Sequence, residues 1–144
     1  MKNVPAKVSA KSLAYLASPY SKYPAGAEQA FIDVCAIAGQ LIQAGAAIYS
    51  PIAHSHSIAV HTGMRLHDYE LWIPLDKIML DRCDVLIVAN MPSWEQSAGI
   101  KIEVDYFEKT NKYIYDLDIN TLCMIRRKDP KNVIDFNQLP MGKW

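Results

Sequence analysis

The chain has 144 residues, which is long enough for one domain with a sizeable hydrophobic core. Lysine and arginine together number 15, as do aspartate and glutamate, so the formal net charge is zero. This balance gives no support to a protein that holds nucleic acid or an anionic membrane through strong positive charge. A neutral chain that is 51% hydrophobic is typical of an enzyme or an oligomer subunit.

The three cysteines, Cys35, Cys83 and Cys123, are odd in number and lie inside or beside apolar runs. This placement predicts buried free thiols in a reducing compartment rather than a disulfide framework. The first residues carry lysines but no continuous hydrophobic segment, so we expect neither a signal peptide nor a membrane span. The sequence therefore predicts a cytoplasmic protein.

The first half of the chain reads as a strand, a loop, a helix and a second strand. Residues 1–12 are polar and small and are predicted to form a flexible leader. Residues 13–18 are a short apolar run that predicts a buried strand, and residues 19–26 have the composition of a loop. Apolar residues then recur at three- and four-residue spacing, which predicts a helix over 27–44. Residues 46–50 predict the second strand.

The second half is predicted to continue this alternation. Residues 52–69 are polar, contain all four histidines and are predicted to be irregular, and a second helix is predicted to follow Pro74. Residues 84–90 are continuously apolar, which predicts a central strand buried on both faces. The remaining predicted segments are a helix at 97–110, strands at 113–116 and 122–125, and an irregular tail at 126–144.

These elements predict a three-layer, doubly wound α/β domain of the flavodoxin or Rossmann-like type over residues 13–125, with about five parallel strands. In such open sheets, ligands bind at the carboxyl ends of the strands. Polar residues follow several of the predicted strands, at Ser18, Ser50, Asn90 and Asp116. We therefore expect the site at this edge of the sheet.

Residues 93–103 (SWEQSAGIKIE) directly follow the central strand and open the next helix. Ser97-x-Gly99 at a helix start favours anion binding, because backbone N–H groups and the positive end of the helix dipole meet there. Glu103 lies about a turn and a half further on, where a buried carboxylate is a candidate nucleophile or base. The chain has no G-x-G-x-x-G or Walker A pattern, and we expect no cofactor.

Three motifs occur in order: Tyr15-Leu-Ala-Ser18, Asp76 eight residues before Asp84, and Ser97-x-Gly99-x-x-x-Glu103. Together they resemble the nucleoside 2-deoxyribosyltransferase superfamily over roughly residues 13–117. That superfamily includes deoxyribosyltransferases and nucleoside 5′-monophosphate N-glycosidases. Within it, the SPIAHSH segment at residues 50–56 is similar to a poorly characterised bacterial and phage domain family.

The resemblance implies a role for each matching residue. Glu103 falls on the carboxylate that attacks the anomeric carbon and forms a covalent glycosyl-enzyme, and Asp76 on a second acid that helps the base to leave. Tyr15 falls on a tyrosine that orients the nucleophile. Ser97 stands where the transferases have an acid and the monophosphate hydrolases a serine, which implies a 5′-phosphate. The hydrolases also bind that phosphate with an arginine that this chain lacks, and Lys22 is the candidate replacement.

Each assignment has a structural alternative. Glu103 is then a solvated helix residue, Asp76 a residue that favours the helix dipole, Ser97 an N-cap, and Tyr15 part of the core.

The remaining candidates are aromatic and small polar residues. His54-x-His56 and His61 are close in sequence, but no acid or cysteine stands at a complementary spacing, so we favour His54 as a pocket residue and expect no metal. Trp72 and Tyr69 either stack on a base or cover the core or a subunit interface. The predicted substrate-binding set is Ser18, Lys22, His54, Trp72, Ser97 and Gly99.

The leading expectation is therefore an N-glycosidase that hydrolyses a (deoxy)nucleoside 5′-monophosphate. The alternatives are a nucleoside 2-deoxyribosyltransferase and a non-catalytic nucleotide-binding module. We expect a homo-oligomer, at least a dimer, that binds a small nucleotide or nucleoside and neither nucleic acid nor a membrane.

Overall fold

A six-stranded sheet organises residues 12–138, the part of the chain that the computed structural model describes. The strands are β1 (Leu13–Ala17), β2 (Ala47–Tyr49), β3 (Val85–Ala89), β4 (Tyr113–Asp118), β5 (Cys123–Arg126) and β6 (Asp129–Asp135). Their order across the sheet is β2-β1-β3-β4-β5-β6. The first four run parallel to one another, and β5 and β6 pair antiparallel.

Helices cover both faces of this sheet. They are α1 (Ala27–Gln43), α2 (Pro51–Thr62), α3 (Tyr69–Arg82) and α4 (Ala98–Lys109). On one face, Val34 and Leu41 of α1 pack in a buried cluster with Ile87 of β3. On the other face, Leu80 of α3 and Phe107 of α4 pack in a second cluster. The predicted three-layer α/β fold is therefore confirmed. Within residues 12–138, no helix is both long and apolar enough to cross a membrane.

The central strand is β3, as its continuous apolar run predicts. All five of its residues are buried, since β1 and β4 flank it and helices cover both of its faces. Leu86 pairs with Tyr15 on one side and with Ile114 on the other. This register places the carboxyl ends of the parallel strands at one edge of the sheet.

The histidine-containing segment predicted to be irregular is the helix α2. Ser50 caps it, because its hydroxyl accepts a hydrogen bond from the Ala53 N–H at 3.1 Å, and Pro51 occupies the first position. Gly63 ends the helix in the left-handed conformation, with φ of 75°. The helix α3 begins at Tyr69, earlier than predicted. Pro74 lies inside it, where it removes a backbone hydrogen bond without ending the helix.

The C-terminal part of the sheet also differs from the prediction. The fifth strand is present, but it is antiparallel to β4, because a short turn leaves no length for the crossover that a parallel strand needs. Four strands, rather than about five, are thus parallel. The tail predicted to be irregular contains β6, with Pro130 on the outer strand of the sheet, where proline is tolerated. The predicted leader, up to residue 11, and residues 139–144 lie outside the described residues.

Candidate functional site

A cavity of about 520 Å³ lies at the edge of the sheet where the parallel strands end. Ser18 directly follows β1 and forms part of its wall, Pro51 and Ile52 come from the start of α2, and Ser97 and Gly99 come from the start of α4. The starts of two helices thus meet at one cavity. This is the location that the fold class predicts for a ligand.

One face of α3 forms a long wall of the cavity. Tyr69, Trp72, Ile73, Asp76 and Leu80 all line it, and they recur at the three- and four-residue spacing of a helix. Apart from Asp76 and Lys77, the residues of α3 that line the cavity are apolar or aromatic, which suits a planar base. The prediction that α3 begins after Pro74 hid this pattern, because its first turns were not recognised as helical.

Glu103 lines the cavity and is hydrogen-bonded to the buried Tyr15. The Tyr15 hydroxyl donates a hydrogen bond to Glu103 Oε2 at 2.7 Å and thereby joins β1 to α4. Tyr15 is fully buried and does not line the cavity. Burial, together with the carboxylates of Glu103 and Asp76, raises the pKa of the Tyr15 phenol far above its usual value. The phenol therefore stays protonated and is the donor in the hydrogen bond to Glu103.

The two carboxyl groups of the cavity have different pKa values. The pKa of Glu103 is raised to about 8: burial has the largest effect and raises it, the hydrogen bond from Tyr15 lowers it, and the charge of Asp76 raises it. Burial also raises the pKa of Asp76 to about 6. Between these two pH values the pair holds one proton, so the cavity contains a proton donor and an anion at the same time. Acid–base chemistry needs this combination.

The start of α4 is arranged as the sequence predicts. Ser97 is the N-cap, and its hydroxyl accepts a hydrogen bond from the Ile100 N–H at 3.2 Å. A Cβ atom added to Gly99 would come no closer than 3.8 Å to the Ser97 oxygen, so the protein itself leaves space at this position. The positive end of the helix dipole therefore reaches an open part of the cavity, where an anionic group is favoured.

Two of the predicted substrate-binding residues do not line the cavity. Lys22 is exposed in the turn closed by the hydrogen bond from the Tyr23 N–H to the Tyr20 carbonyl, and Lys77 of α3 lines the cavity instead. His54 is also exposed. Its ring and that of Trp72 are arranged edge to face, with centroids 6.2 Å apart.

Two buried polar atoms of cavity-lining residues have no hydrogen-bond partner in the described protein, Ser18 Oγ and Trp72 Nε1. Buried polar atoms are rarely left unpaired, and a ligand is one way to satisfy them. The indole N–H only donates, so its partner would be an acceptor, whereas the hydroxyl both donates and accepts. Within residues 12–138, no three acidic, histidine or cysteine side chains are grouped to hold a metal ion.

Comparison with known families matches one model, described as a domain of unknown function (DUF1937), to residues 12–118. The match runs from β1 to the end of β4 and includes every residue that lines the cavity. No curated protein matches the chain.

Proposed function

The chain belongs to the DUF1937 family, and we propose that it is an N-glycosidase that hydrolyses a (deoxy)nucleoside 5′-monophosphate to a free base and a sugar 5-phosphate. The observation that carries this proposal is the 2.7 Å hydrogen bond from Tyr15 to Glu103, at a cavity that a second carboxyl group, Asp76, also lines. Enzymes that cleave glycosidic bonds usually use a pair of carboxyl groups with different pKa values. The resemblance to the nucleoside 2-deoxyribosyltransferase superfamily assigns the same three residues.

In the proposed mechanism, the Glu103 carboxylate attacks the anomeric carbon while the bond from that carbon to the base nitrogen breaks. Asp76 transfers its proton to the departing base, and the product is a glycosyl ester of Glu103. Water then attacks the anomeric carbon, Asp76 accepts a proton from it, and Glu103 leaves as a carboxylate. The reactive form of the free enzyme therefore carries its single shared proton on Asp76.

The cavity supports a nucleotide as the substrate. Its apolar α3 wall, with Tyr69 and Trp72, suits the base. The start of α4 suits the 5′-phosphate, because Ser97 brings no negative charge and the helix dipole favours an anion. Lys77, rather than Lys22, is the lysine that lines this cavity and can contribute a positive charge.

The proposal is tested by incubating the protein with nucleosides and their 5′-monophosphates and following the release of free base by chromatography. We expect base from the monophosphates, and a loss of about a thousandfold or more in Glu103→Gln. Glu108→Gln is the matched control, since Glu108 is exposed on the same helix. Exchange between two bases would instead identify a deoxyribosyltransferase, and binding without turnover a nucleotide-binding module.

We also propose that the active form is a homodimer in the cytoplasm. The described structure has three free cysteines, as expected in a reducing compartment. The helix α3 exposes several large apolar side chains that a second subunit would cover: Tyr69, Leu71, Ile73 and Ile78.

A further inference from the structure

A buried imidazole connects the cavity wall to the protein surface. His56 of α2 is only 1% exposed, and its ring stacks on Phe31 with centroids 4.4 Å apart. Its Nδ1 lies 2.5 Å from the phenol oxygen of Tyr20, and its Nε2 lies 3.0 Å from a carboxylate oxygen of Glu28. Tyr20 lines the cavity, whereas the side chain of Glu28 is 69% exposed at the start of α1. The imidazole thus links the loop after β1 to two helices.

These contacts determine the direction of both hydrogen bonds. The carboxylate of Glu28 accepts hydrogen bonds and donates none, so Nε2 of His56 carries a proton. In an imidazole with a single proton, which is then on Nε2, the unprotonated Nδ1 is an acceptor. The phenol of Tyr20 therefore donates its only proton to His56. Burial raises the pKa of Tyr20 to about 12, so its oxygen stays a phenol rather than a phenolate.

We propose that Tyr20 is a specificity-determining residue that meets the ligand only as a hydrogen-bond acceptor, with His56 and Glu28 as the residues that position it. At this part of the wall the cavity selects a ligand hydroxyl or amine over a carbonyl or phosphate oxygen, because two acceptors facing each other leave both unpaired. The inference rests on the proposed function for one point, that the ligand is a nucleotide. It complements Trp72, whose indole offers only a donor.

The experiment compares pairs of monophosphates that differ in one donor. Ribose and 2′-deoxyribose forms differ in a hydroxyl, and adenine and unsubstituted purine forms differ in the exocyclic amine. The value of kcat/KM is measured for each pair with the parent, Tyr20→Phe and Tyr23→Phe. Tyr23 is the matched control, because it lies in the same loop and donates to Asp33 at 2.6 Å but does not line the cavity.

We expect kcat/KM of the parent to be about tenfold higher for the donor-bearing member of at least one pair, which is the ratio that the loss of one hydrogen bond produces. Tyr20→Phe should bring that ratio to about one, and Tyr23→Phe should keep it. Nitrogen NMR of the imidazoles at pH 8 should also show the proton of His56 on Nε2. A His56 ring that carries a proton on Nδ1, or a ratio that Tyr20→Phe leaves unchanged, overturns the inference alone. A panel in which no nucleotide binds overturns the proposed function as well.

Discussion

Tyr15 and Glu103 stand 88 positions apart in the sequence, and the phenol of the first donates a 2.7 Å hydrogen bond to the carboxylate of the second. This bond favours the ionised form of Glu103, whereas burial and the charge of Asp76 favour its protonated form. The protonation of the candidate nucleophile therefore depends on opposing effects. Two of these effects arise from single side chains and can be removed by substitution.

The first prediction concerns the hydrogen bond itself. Tyr15→Phe keeps the ring in the core but removes the donor that lowers the pKa of Glu103. Less of the enzyme then has its proton on Asp76, so we expect kcat/KM to fall by about 10- to 100-fold. The basic limb of the pH profile, near pH 8 in the parent, should move to higher pH. Tyr49→Phe is the control, since the Tyr49 ring lies next to that of Tyr15 and its hydroxyl has no hydrogen-bond partner among residues 12–138. A lower rate with an unmoved limb would argue against this role.

The second prediction concerns Asp76. Because the reactive form holds one proton on the pair, the parent should show a bell-shaped pH profile of kcat/KM with limbs near pH 6 and pH 8. Asp76→Asn removes both the acid and a charge that raises the pKa of Glu103. We expect a rate at least tenfold lower and a single rising limb below pH 8, measured from pH 5 to pH 10.

Asp68→Asn provides the control for Asp76. Asp68 also lines the cavity, but it pairs with Arg65 at 3.4 Å and is not one of the charges that raise the pKa of Glu103. Its substitution should leave a bell-shaped profile. A bell-shaped profile retained in Asp76→Asn would show that another group supplies the proton.

The third prediction links the same carboxyl to stability. Glu103 titrates near pH 8 in the folded chain against an ordinary value of 4.5, so folding takes up a proton between these values. Its contribution to the free energy of unfolding is present at low pH and is lost as the pH rises through 8. Glu103→Gln should therefore be more stable than the parent at pH 9, with Tm higher on the order of 5 °C, and should differ less at pH 5. Glu108→Gln should show no such pH dependence. Equal pH dependence in Glu103→Gln and the parent would contradict a raised pKa.

Strong local patterns predicted the central part of the site. The continuous apolar run of β3 and the N-cap at Ser97 both depend on neighbours in the sequence, so the strand, α4 and the position of Glu103 were predicted correctly. The start of α3 was predicted wrongly, because Pro74 was interpreted as a boundary although it lies inside the helix. The helix α2 was missed even though its capping signals, Ser50 followed by Pro51, are present in the sequence.

Other features depend on contacts that no local pattern reveals. His56 is polar, yet it is buried because Tyr20 and Glu28, 36 and 28 residues away, satisfy both of its nitrogens. Lys22 fails to reach the cavity because its turn directs it to solvent. The sequence indicates a lysine near the predicted site but not the direction in which its side chain points.

The fourth prediction concerns the 5′-phosphate. Ser97→Asp places a negative charge at the start of α4, where the proposal puts an anion, so it should lower kcat/KM for monophosphates by at least about tenfold more than for nucleosides. Aspartate is also a good N-cap, so the helix should keep its start. Ser97→Asn is the matched neutral variant and should retain the preference for monophosphates. Equal losses on both substrate types would show that Ser97 does not face the 5′ group.

The last prediction concerns assembly. Ile78 of α3 is 55% exposed on the helix that forms the cavity wall, and Leu71 and Ile73 of the same helix are exposed as well. Several large exposed apolar side chains on one helix are typical of an interface, and two-fold symmetry is the usual arrangement. We expect a dimer in light scattering across a dilution series. Ile78→Glu should dissociate it, because the substitution places a charge in the interface, and should lower turnover if the partner covers the cavity.

The control for this surface is Val133→Glu, which introduces the same charge at a similarly exposed position, 51%, on the outer strand β6. That variant should stay dimeric with parental activity. If both variants dissociate the protein, the interface involves the edge of the sheet rather than α3, since an exposed outer strand can also pair with a second copy. A parent that remains monomeric at every concentration while it releases base would contradict the dimer. The assignment of Glu103 would be unaffected, because the bond to Tyr15 lies within one chain.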